Sequence, residues 1–423
     1  MHILLVGGGG REHAIGWKLA QSKLCSKLTS APGNGGLAAL GERAPIRATE
    51  ITKLVEYAKT HGVDFVVAAS DDPLALGLVD ACKAAGLRAF GPTKAAAELE
   101  WSKAFAKGFM KRHGIPTASY EVFTDCDEAV AYARSMDPSE GKPIVIKADG
   151  LAVGKGAVIT KSIGEAEVTL REMMLDAKFG ESGKRVVIEE YMTGREVTAL
   201  CFTDGERIYP MPPSRDHKRA LDGDLGTNTG GMGVITPVPD YTTEIAERCM
   251  REIFLPTTDG MRQEGRSFSG VLYFELMLTP DGPKVIEYNA RFGDPEAQAL
   301  LPLLESDLLE LMLAIEAGEP VTPVWSDEAC ACVVVASGGY PDAYQTGKPI
   351  SGLDKIPSEI VVFHAGTSVD AAGNYLTSGG RVLSLCAKGK TLDDALRTVY
   401  RHIDKVRFEG AFYRKDIGKR VTV

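Results

Sequence analysis

Short apolar runs alternate with amphipathic stretches through residues 1–92. His2–Val6 reads as a strand, Glu12–Gln21 as a helix, Asp64–Ala69 as a strand, Leu74–Ala85 as a helix and Arg88–Phe90 as a strand. Strand–helix alternation at this spacing predicts a parallel sheet covered by helices. Gly91-Pro92-Thr93 breaks the run, and a helix over Ser102–His113 follows. β-Branched runs at Ile144–Ile146, Ala157–Ile159 and Val186–Glu190 read as strands. Beyond a long polar insertion, two strands flank Thr279-Pro280-Asp281-Gly282-Pro283, and a later helix carries Ser306 as its expected cap. A strand over Ala331–Ala336, a glycine-rich stretch and a helix over Leu392–Val406 lie near the end of the chain. The expectation is an α/β protein, α+β in part, with an N-terminal parallel-sheet domain over 1–101, a central domain over 102–325 and a small C-terminal α/β domain over 326–423.

The length of 423 residues exceeds what one hydrophobic core holds, consistent with several domains. A net charge of −9 argues against a general nucleic-acid or membrane-surface role. The 8 cysteines form no C-x-x-C pair. No apolar run approaches the roughly 18 residues of a membrane helix. Strand residues begin at His2, so a cytoplasmic protein with reduced thiols is expected.

Two glycine-rich loops suggest phosphate chemistry. Gly7–Gly10 lie between a strand and a helix N-terminus, where backbone N–H groups and Arg11 make an anion site. Glu12 occupies the third glycine position of a dinucleotide fingerprint. The next strand-like run, Leu28–Ala31, ends in Pro32-Gly33-Asn34 with no acid to hold a ribose. A smaller phosphate therefore fits better than NAD. The second loop, IVIKADGLAVGKGAVI over 144–159, nearly matches a P-loop. It fails because Asp149 replaces the first glycine and Gly156 follows Lys155 where Ser or Thr would hold Mg²⁺. Its flanks are strands, so the segment reads as a hairpin flap carrying Lys147 and Lys155.

The most informative stretch is VLYFELMLTPDGPKVIEYNARFGDPE, 271–296. Pairing symmetric about Asp281 sets Glu275 opposite Glu287, and alternation puts Asn289 and Arg291 on the face of Glu287. Opposed acids among Val, Leu, Phe and Ile repel each other and resist desolvation. A divalent cation removes both difficulties, and these oxygen donors suit Mg²⁺ or Mn²⁺ with nucleotide phosphates completing the shell. The insertion PSRDHKRALDGDLGTNTGGMG, 213–233, is either a mobile loop or a site: Arg215, Asp216, His217, Lys218 and Arg219 offer charge, and Thr229-Gly230-Gly231 offers backbone donors.

Ser102-Lys103, the flap Lys147–Gly156, Ile188-Glu189-Glu190, Glu196 and Glu287-x-Asn289 resemble, in this order, the ATP-grasp ligases. GGGGREH, APGN (31–34), FGPT (90–93), KADGLAVGKG, DHKR, NTGGMG, EYNARFGDPE, SGGYP (337–341), FHAGT (363–367), GGRVL (379–383) and RKDIG (414–418) extend the likeness over essentially the whole chain. Together they resemble the phosphoribosylamine–glycine ligase family. That resemblance implies a pre-ATP-grasp domain, a two-part ATP-grasp domain with a mobile flap over about 120–192, and a small final domain. It implies that ATP phosphorylates glycine and that the amine of 5-phosphoribosylamine attacks the glycyl phosphate, giving N1-(5-phosphoribosyl)glycinamide, ADP and phosphate in purine biosynthesis.

By the same resemblance, Lys103 and Lys147 contact the nucleotide phosphates while Lys155 and Gly156 close over them. Glu189, Glu190, Tyr191 and Met192 form the strand beside adenine, and Glu196 holds the ribose. Glu287 and Asn289, joined by Glu275, ligate Mg²⁺ or Mn²⁺. Arg291 clamps the carboxylate of glycine and Asp216 lies near its amine; with Lys155, these are the candidate catalytic groups. Gly8, Gly9, Gly10, Arg11, Glu12, His13, Pro32, Gly33, Asn34, Asp71, His217, Lys218, Arg219, Gly230, Gly231, Gly293 and Asp294 complete the expected substrate contacts. The partners implied are ATP, glycine and 5-phosphoribosylamine, with no nucleic acid or membrane, on a monomer or weak dimer. Asp71 stands where many members carry glutamate, Glu275 where many carry glycine, and Thr227 where proline is common. Another ligase of this class would differ at Asp71, in 213–233 and at Arg291. A non-catalytic nucleotide-binding module would lack the Glu287–Asn289 pair.

Overall fold

The computed structural model describes residues 1–151, 156–176 and 180–419. Its first sheet has five parallel strands in the order Glu42–Arg43, Lys27–Pro32, His2–Gly7, Phe65–Ala68 and Arg88–Phe90. Ile3, Leu4, Leu5 and Val6 are fully buried, as a strand covered on both faces requires. The expected helix over Leu74–Ala85 is instead two, Asp71–Ala75 and Leu78–Ala84. Gly77 breaks them apart with a left-handed backbone, φ 85°, which an L side chain resists.

Two antiparallel four-stranded sheets make up the central region. One has the order Tyr120–Phe123, Val186–Glu190, Ile144–Ala148, Ala157–Thr160. The flap hairpin expected from the sequence is present there, with Ile144 opposite Thr160 and Lys147 opposite Ala157. Helices Cys126–Met136 and Ile163–Met174 bury Ala129, Ala133, Leu170 and Met173 in one cluster with Ile144, Ile146, Val186 and Ile188. The second sheet has the order Ile208–Pro210, Arg195–Thr203, Gly270–Thr279, Gly282–Asn289. The later helix, Leu308–Glu316, is capped by Asp307, whose carboxylate accepts from Leu309 N and Glu310 N, and not by Ser306. Ser306 accepts from Val324 N instead.

The C-terminal sheet answers the question of the polar insertion. Its order is Arg215–Asp216, Gly233–Thr236, Ala329–Ala336, Arg381–Gly389, Ile360–His364. The first two strands are the ends of the insertion, and Gly233–Thr236 pairs antiparallel with Cys330–Val333. Between them, Arg219–Leu221 and Leu225–Asn228 form a small hairpin. The final helix ends at His402, followed by a 3-10 turn over Ile403–Lys405, earlier than the Val406 expected. Among the described residues, no helix is long and apolar enough to cross a membrane.

Gly77→Ala is expected to lower the unfolding free energy by about 1–2 kcal/mol through backbone strain alone, because an added Cβ meets nothing nearer than 3.7 Å. Denaturant unfolding of the two chains checks this.

Candidate active site

The acid hairpin contains an irregularity that its turn does not reveal. Thr279 pairs with Gly282, Leu278 with Pro283 and Leu276 with Val285. Continued, that ladder would set Glu275 against Ile286. Ile286 is instead an extra residue, and beyond it Glu275 faces Glu287 as the sequence led us to expect. This β-bulge leaves the Ile286 carbonyl outside the regular ladder. Lys147, from the flap sheet, donates to that carbonyl at 3.3 Å.

Lys147 also lies 3.0 Å from Glu189, whose other oxygen is 3.0 Å from Lys107. All three residues are 2–4% exposed. Lys107 further donates to Thr117 Oγ1 at 2.7 Å, and Thr117 donates to the Val285 carbonyl at 2.6 Å. The rack thus joins the helix Lys103–Arg112, the flap sheet and the acid hairpin. Burial lowers Lys107 to a pKa of about 8, against the opposing pull of Glu189. At Lys147 burial also disfavours charge, but Glu189 and Glu287 outweigh it and hold its pKa above the ordinary lysine value.

Glu287 is half-buried. Burial would raise its pKa, yet Lys103, Lys147, Lys218 and Arg291 draw it below the usual carboxylate value. Glu275, 3% exposed, is ion-paired to Lys218 of the insertion. The structure therefore corrects one step of the sequence argument: side-chain cations already neutralise the facing acids, so their opposition alone does not require a metal. Asn289 accepts from Arg291 at 3.1 Å. No group of three or more His, Cys, Asp and Glu suited to a metal occurs among the described residues.

Ser102 caps the helix that carries Lys103, accepting from Phe105 N and donating to Asp149 at the root of the flap. Asp149 also accepts from Ala104 N at 2.9 Å and pairs with Arg185. Lys103 donates to Gly150 O at 3.3 Å, and Gly156 O accepts from Ala148 N where the hairpin re-forms. Lys155 lies outside the described residues. Along the expected adenine strand, Glu190 exchanges hydrogen bonds with the Ser119 backbone, Met192 is half-buried and Tyr191 is exposed. Glu196 is exposed, 3.9 Å from Lys218.

Arg291 sits between acids, 2.8 Å from buried Glu100, which also accepts from Ala290 N. Burial raises Glu100, with Arg291 opposing. Asp71 moves the other way: Arg291 and Arg11 overcome burial and lower it. Asp216 lies under Gly231, where φ is 107° and an added Cβ would fall 2.6 Å from its carboxylate. Burial and then Glu296 raise Asp216 to about 8, while Lys218 and Arg381 oppose the rise. Glu296 is buried, accepts from Tyr273 OH at 2.9 Å, and leaves no room for a side chain at Gly293.

At the N-terminal glycines, the structure departs from the simple anion site. Glu12 reaches back to Gly9 N at 2.5 Å and takes Arg11 Nε at 2.6 Å. This internal carboxylate occupies the helix terminus, making the one half of a capping box that a glycine N-cap allows, which explains why Glu12 stands in the fingerprint position. Asn34 is also fully engaged. Its amide nitrogen donates to Gly8 O, Gly9 O and His364 O, and its oxygen accepts from Gly36 N and Leu37 N. His13 Nδ1 accepts from His364 N at 2.7 Å. Burial lowers its pKa to about 3, so the ring is neutral. Pro32 O accepts from Arg43.

These loops border a cleft of about 340 Å³ lined by Gly8, Gly9, Gly33, Asn34 and Asp294 on one side and Ala365–Thr367, Ser378 and Arg381 on the other. Gly10 packs at its edge against Gln298 and Ala365. Arg381 donates to the carbonyls of Asp294 and Gly230 and lies 3.3 Å from the Asp294 carboxylate. Both ring nitrogens of His217 are engaged within the protein: Gly418 N donates to its Nε2, its Nδ1 donates to Gly233 O, and burial lowers its pKa to about 4. Arg219 donates within its own hairpin to Gly226 O.

Sequence reasoning assigned no role to Lys107, Glu100, Asp149, Glu296, Arg381 or Thr367. A signal existed for some. Lys107 is four residues from Lys103 on one helix face, and Glu296, Thr367 and Arg381 fall inside motifs noted without a role.

Lysines racked over an acid hairpin, the flap sheet that carries one of them and a parallel-sheet domain define an ATP-grasp architecture. The family models for Phosphoribosylglycinamide synthetase match in order, its N domain over residues 1–100, its ATP-grasp (A) domain over 101–297 and its C domain over 330–420. The chain belongs to this phosphoribosylglycinamide synthetase family. It is 48% identical to the phosphoribosylamine–glycine ligase of Caulobacter vibrioides, covering 99% of this chain and 98% of that protein. It is 46% identical to that of Halalkalibacterium halodurans, covering 99% and 97%. The crystal structure of phosphoribosylamine–glycine ligase from Thermotoga maritima superposes with a TM-score of 0.85 at 35% identity, over 98% of this chain and 100% of that one. The biotin carboxylase domain of the Hydrogenobacter thermophilus 2-oxoglutarate carboxylase shares the fold, with a TM-score of 0.77 at 16% identity over 97% and 91%.

Lys107→Met leaves Glu189 with one cation in a dry site. Breaking a buried pair in this way typically costs about 3–5 kcal/mol, which denaturant unfolding of the variant against the native chain measures.

Proposed function

We propose that this chain joins glycine to 5-phosphoribosylamine with cleavage of ATP, giving N1-(5-phosphoribosyl)glycinamide, ADP and phosphate in purine biosynthesis. The observation that carries this reading is the acid hairpin set beneath racked lysines in a chain belonging, over nearly its full length, to the synthetase family. The nucleotide phosphates lie against Lys103 and Lys147, with Glu189–Met192 beside adenine and Glu196 at the ribose. Phosphoryl transfer asks mainly for positioning and charge neutralisation, which fixed lysines supply. Both nucleophiles belong to substrates, so no nucleophilic side chain is required.

The donor set suits a hard divalent ion. Glu287 and Asn289 offer oxygens below the phosphate site, and Mg²⁺ commonly completes its shell with water and phosphate oxygens. When bound, such an ion would neutralise charge on the transferring phosphoryl group. Glu275, already paired with Lys218, is the weaker ligand of the three.

Arg291 orients the glycine carboxylate toward the γ-phosphoryl group, itself held in place by Glu100 and Asn289. Asp216, with Glu296 behind it, faces the glycine ammonium. The carboxylate oxygen takes the phosphoryl group, giving glycyl phosphate and ADP. The amine nitrogen then attacks the carbonyl carbon, a C–N bond forms, phosphate leaves and the nitrogen loses a proton. The cleft between Gly8–Gly9 and Gly366–Thr367 accommodates the phosphoribosyl group. Excluding water protects the acyl phosphate from hydrolysis, which gives the flap its role.

ADP release assayed with glycine alone, phosphoribosylamine alone and both together tests the reaction. Sustained release is expected only with both. Release with another acid in place of glycine points to a different ligase of this class, and no release with any combination points to a binding module. Glu287→Ala is expected to abolish turnover while circular dichroism stays unchanged; near-native turnover removes the ligand role. The pKa of Asp216, about 8, fixes a sign: below it the group is protonated and loses its attraction for an ammonium ion. The KM for glycine should therefore fall as pH rises toward 8, a slope that Asp216→Asn abolishes.

A further inference from the structure

RKDIG, 414–418, is a motif that the reaction leaves unexplained. Arg414 is 1% exposed and among the largest fully buried side chains of the described residues. Its guanidinium meets Asp416 in a two-pronged pair, Nε to Oδ1 and Nη2 to Oδ2, both 2.8 Å. The remaining nitrogen reaches across to the insertion, 2.8 Å from Asp224 and 3.1 Å from the Arg219 carbonyl, 195 residues away in sequence. Asp416 Oδ2 accepts from Gly223 N at 2.8 Å, and Lys415 N donates to Asp222 at 2.7 Å. Gly418 N donates to His217 Nε2 at 3.1 Å, and Ile417 packs beside Gly233. Tyr400 OH closes the arrangement, donating to Arg414 O and accepting from Ile417 N.

The bonds to Arg219, Asp222, Gly223, Asp224 and His217 all fall on the segment that carries Asp216 and Lys218. Between its two strand ends the segment is polar and mostly exposed over 221–230, so apolar packing does little to set the position of that stretch. Charge-assisted bonds from one buried fork can set it, because a guanidinium fixes the direction of its partners as well as their distance. We infer that Arg414 is a positioning residue: through Asp224 and the Arg219 carbonyl it holds the 213–233 insertion in register over the acid hairpin, so that the last segment of the chain sets the glycine and amine half of the site. It touches neither nucleotide nor substrate. The inference rests on the reaction proposed above.

The test compares native chain, Arg414→Lys, which keeps charge but loses the fork, and Asp224→Asn, which removes one half-exposed partner and leaves the fold a milder loss to absorb. For each, KM for ATP and for glycine and kcat are measured, with hydrogen–deuterium exchange over 217–230. The expected result is a fall in glycine kcat/KM on the order of 10- to 100-fold, as for misplaced groups elsewhere, with KM for ATP unchanged and faster exchange over 217–230. Equal losses for ATP and glycine, or native exchange with native KM for glycine, overturn the inference. Glycine-dependent ADP release by the native chain tests the reaction itself, so the two failures are told apart.

Discussion

Charge balance on one strand face governs this structure. Glu287 stands among Lys103, Lys147, Lys218 and Arg291, and the neighbouring acids Glu189, Glu275 and Glu100 each hold one of those cations or Lys107. In a dry environment none of these groups tolerates isolation. The cations are thereby kept charged and aimed before any ligand arrives, which is the condition for electrostatic catalysis of phosphoryl transfer. The bulge at Ile286 belongs to the same arrangement, since it restores the facing of Glu275 and Glu287 and frees a carbonyl for Lys147.

The other half of the site is assembled from three distant parts of the chain. The N-terminal glycine loop is closed by its own Glu12 and Asn34, so its backbone is rigid where it borders the cleft. Arg381 ties the insertion to the Asp294 loop, and Arg414 ties it to the chain end. Substrate contacts on polar loops therefore acquire rigidity from hydrogen-bonded arginines, while hydrophobic packing secures the sheets beneath them.

Much of this was legible in the sequence, and the rest was hidden for identifiable reasons. Alternating apolar residues located the parallel sheet, the flap and the acid hairpin, because side-chain period follows directly from strand geometry. The helix break at Gly77 could have been read from a glycine inside a helical pattern. The bulge could not, since one extra residue in a ladder leaves the alternation on either side intact; the facing of the two acids was anticipated from a symmetric turn that the structure does not use. The metal argument from opposed acids overlooked Lys218, which approaches from 57 residues away. The insertion read as either loop or site because its partners, Arg381 and Arg414, lie far along the chain and no local pattern announces them.

Calorimetric titration of ATP into the native chain and into Glu287→Gln, each with and without Mg²⁺, probes the charge balance most directly. If Glu287 offsets the surrounding cations and offers an oxygen to the ion, the native chain binds ATP more tightly with Mg²⁺ present, whereas the variant binds metal-free ATP more tightly than the native chain does and gains little from Mg²⁺. An equal gain from Mg²⁺ in both proteins, with unchanged affinity for metal-free ATP, would contradict the account.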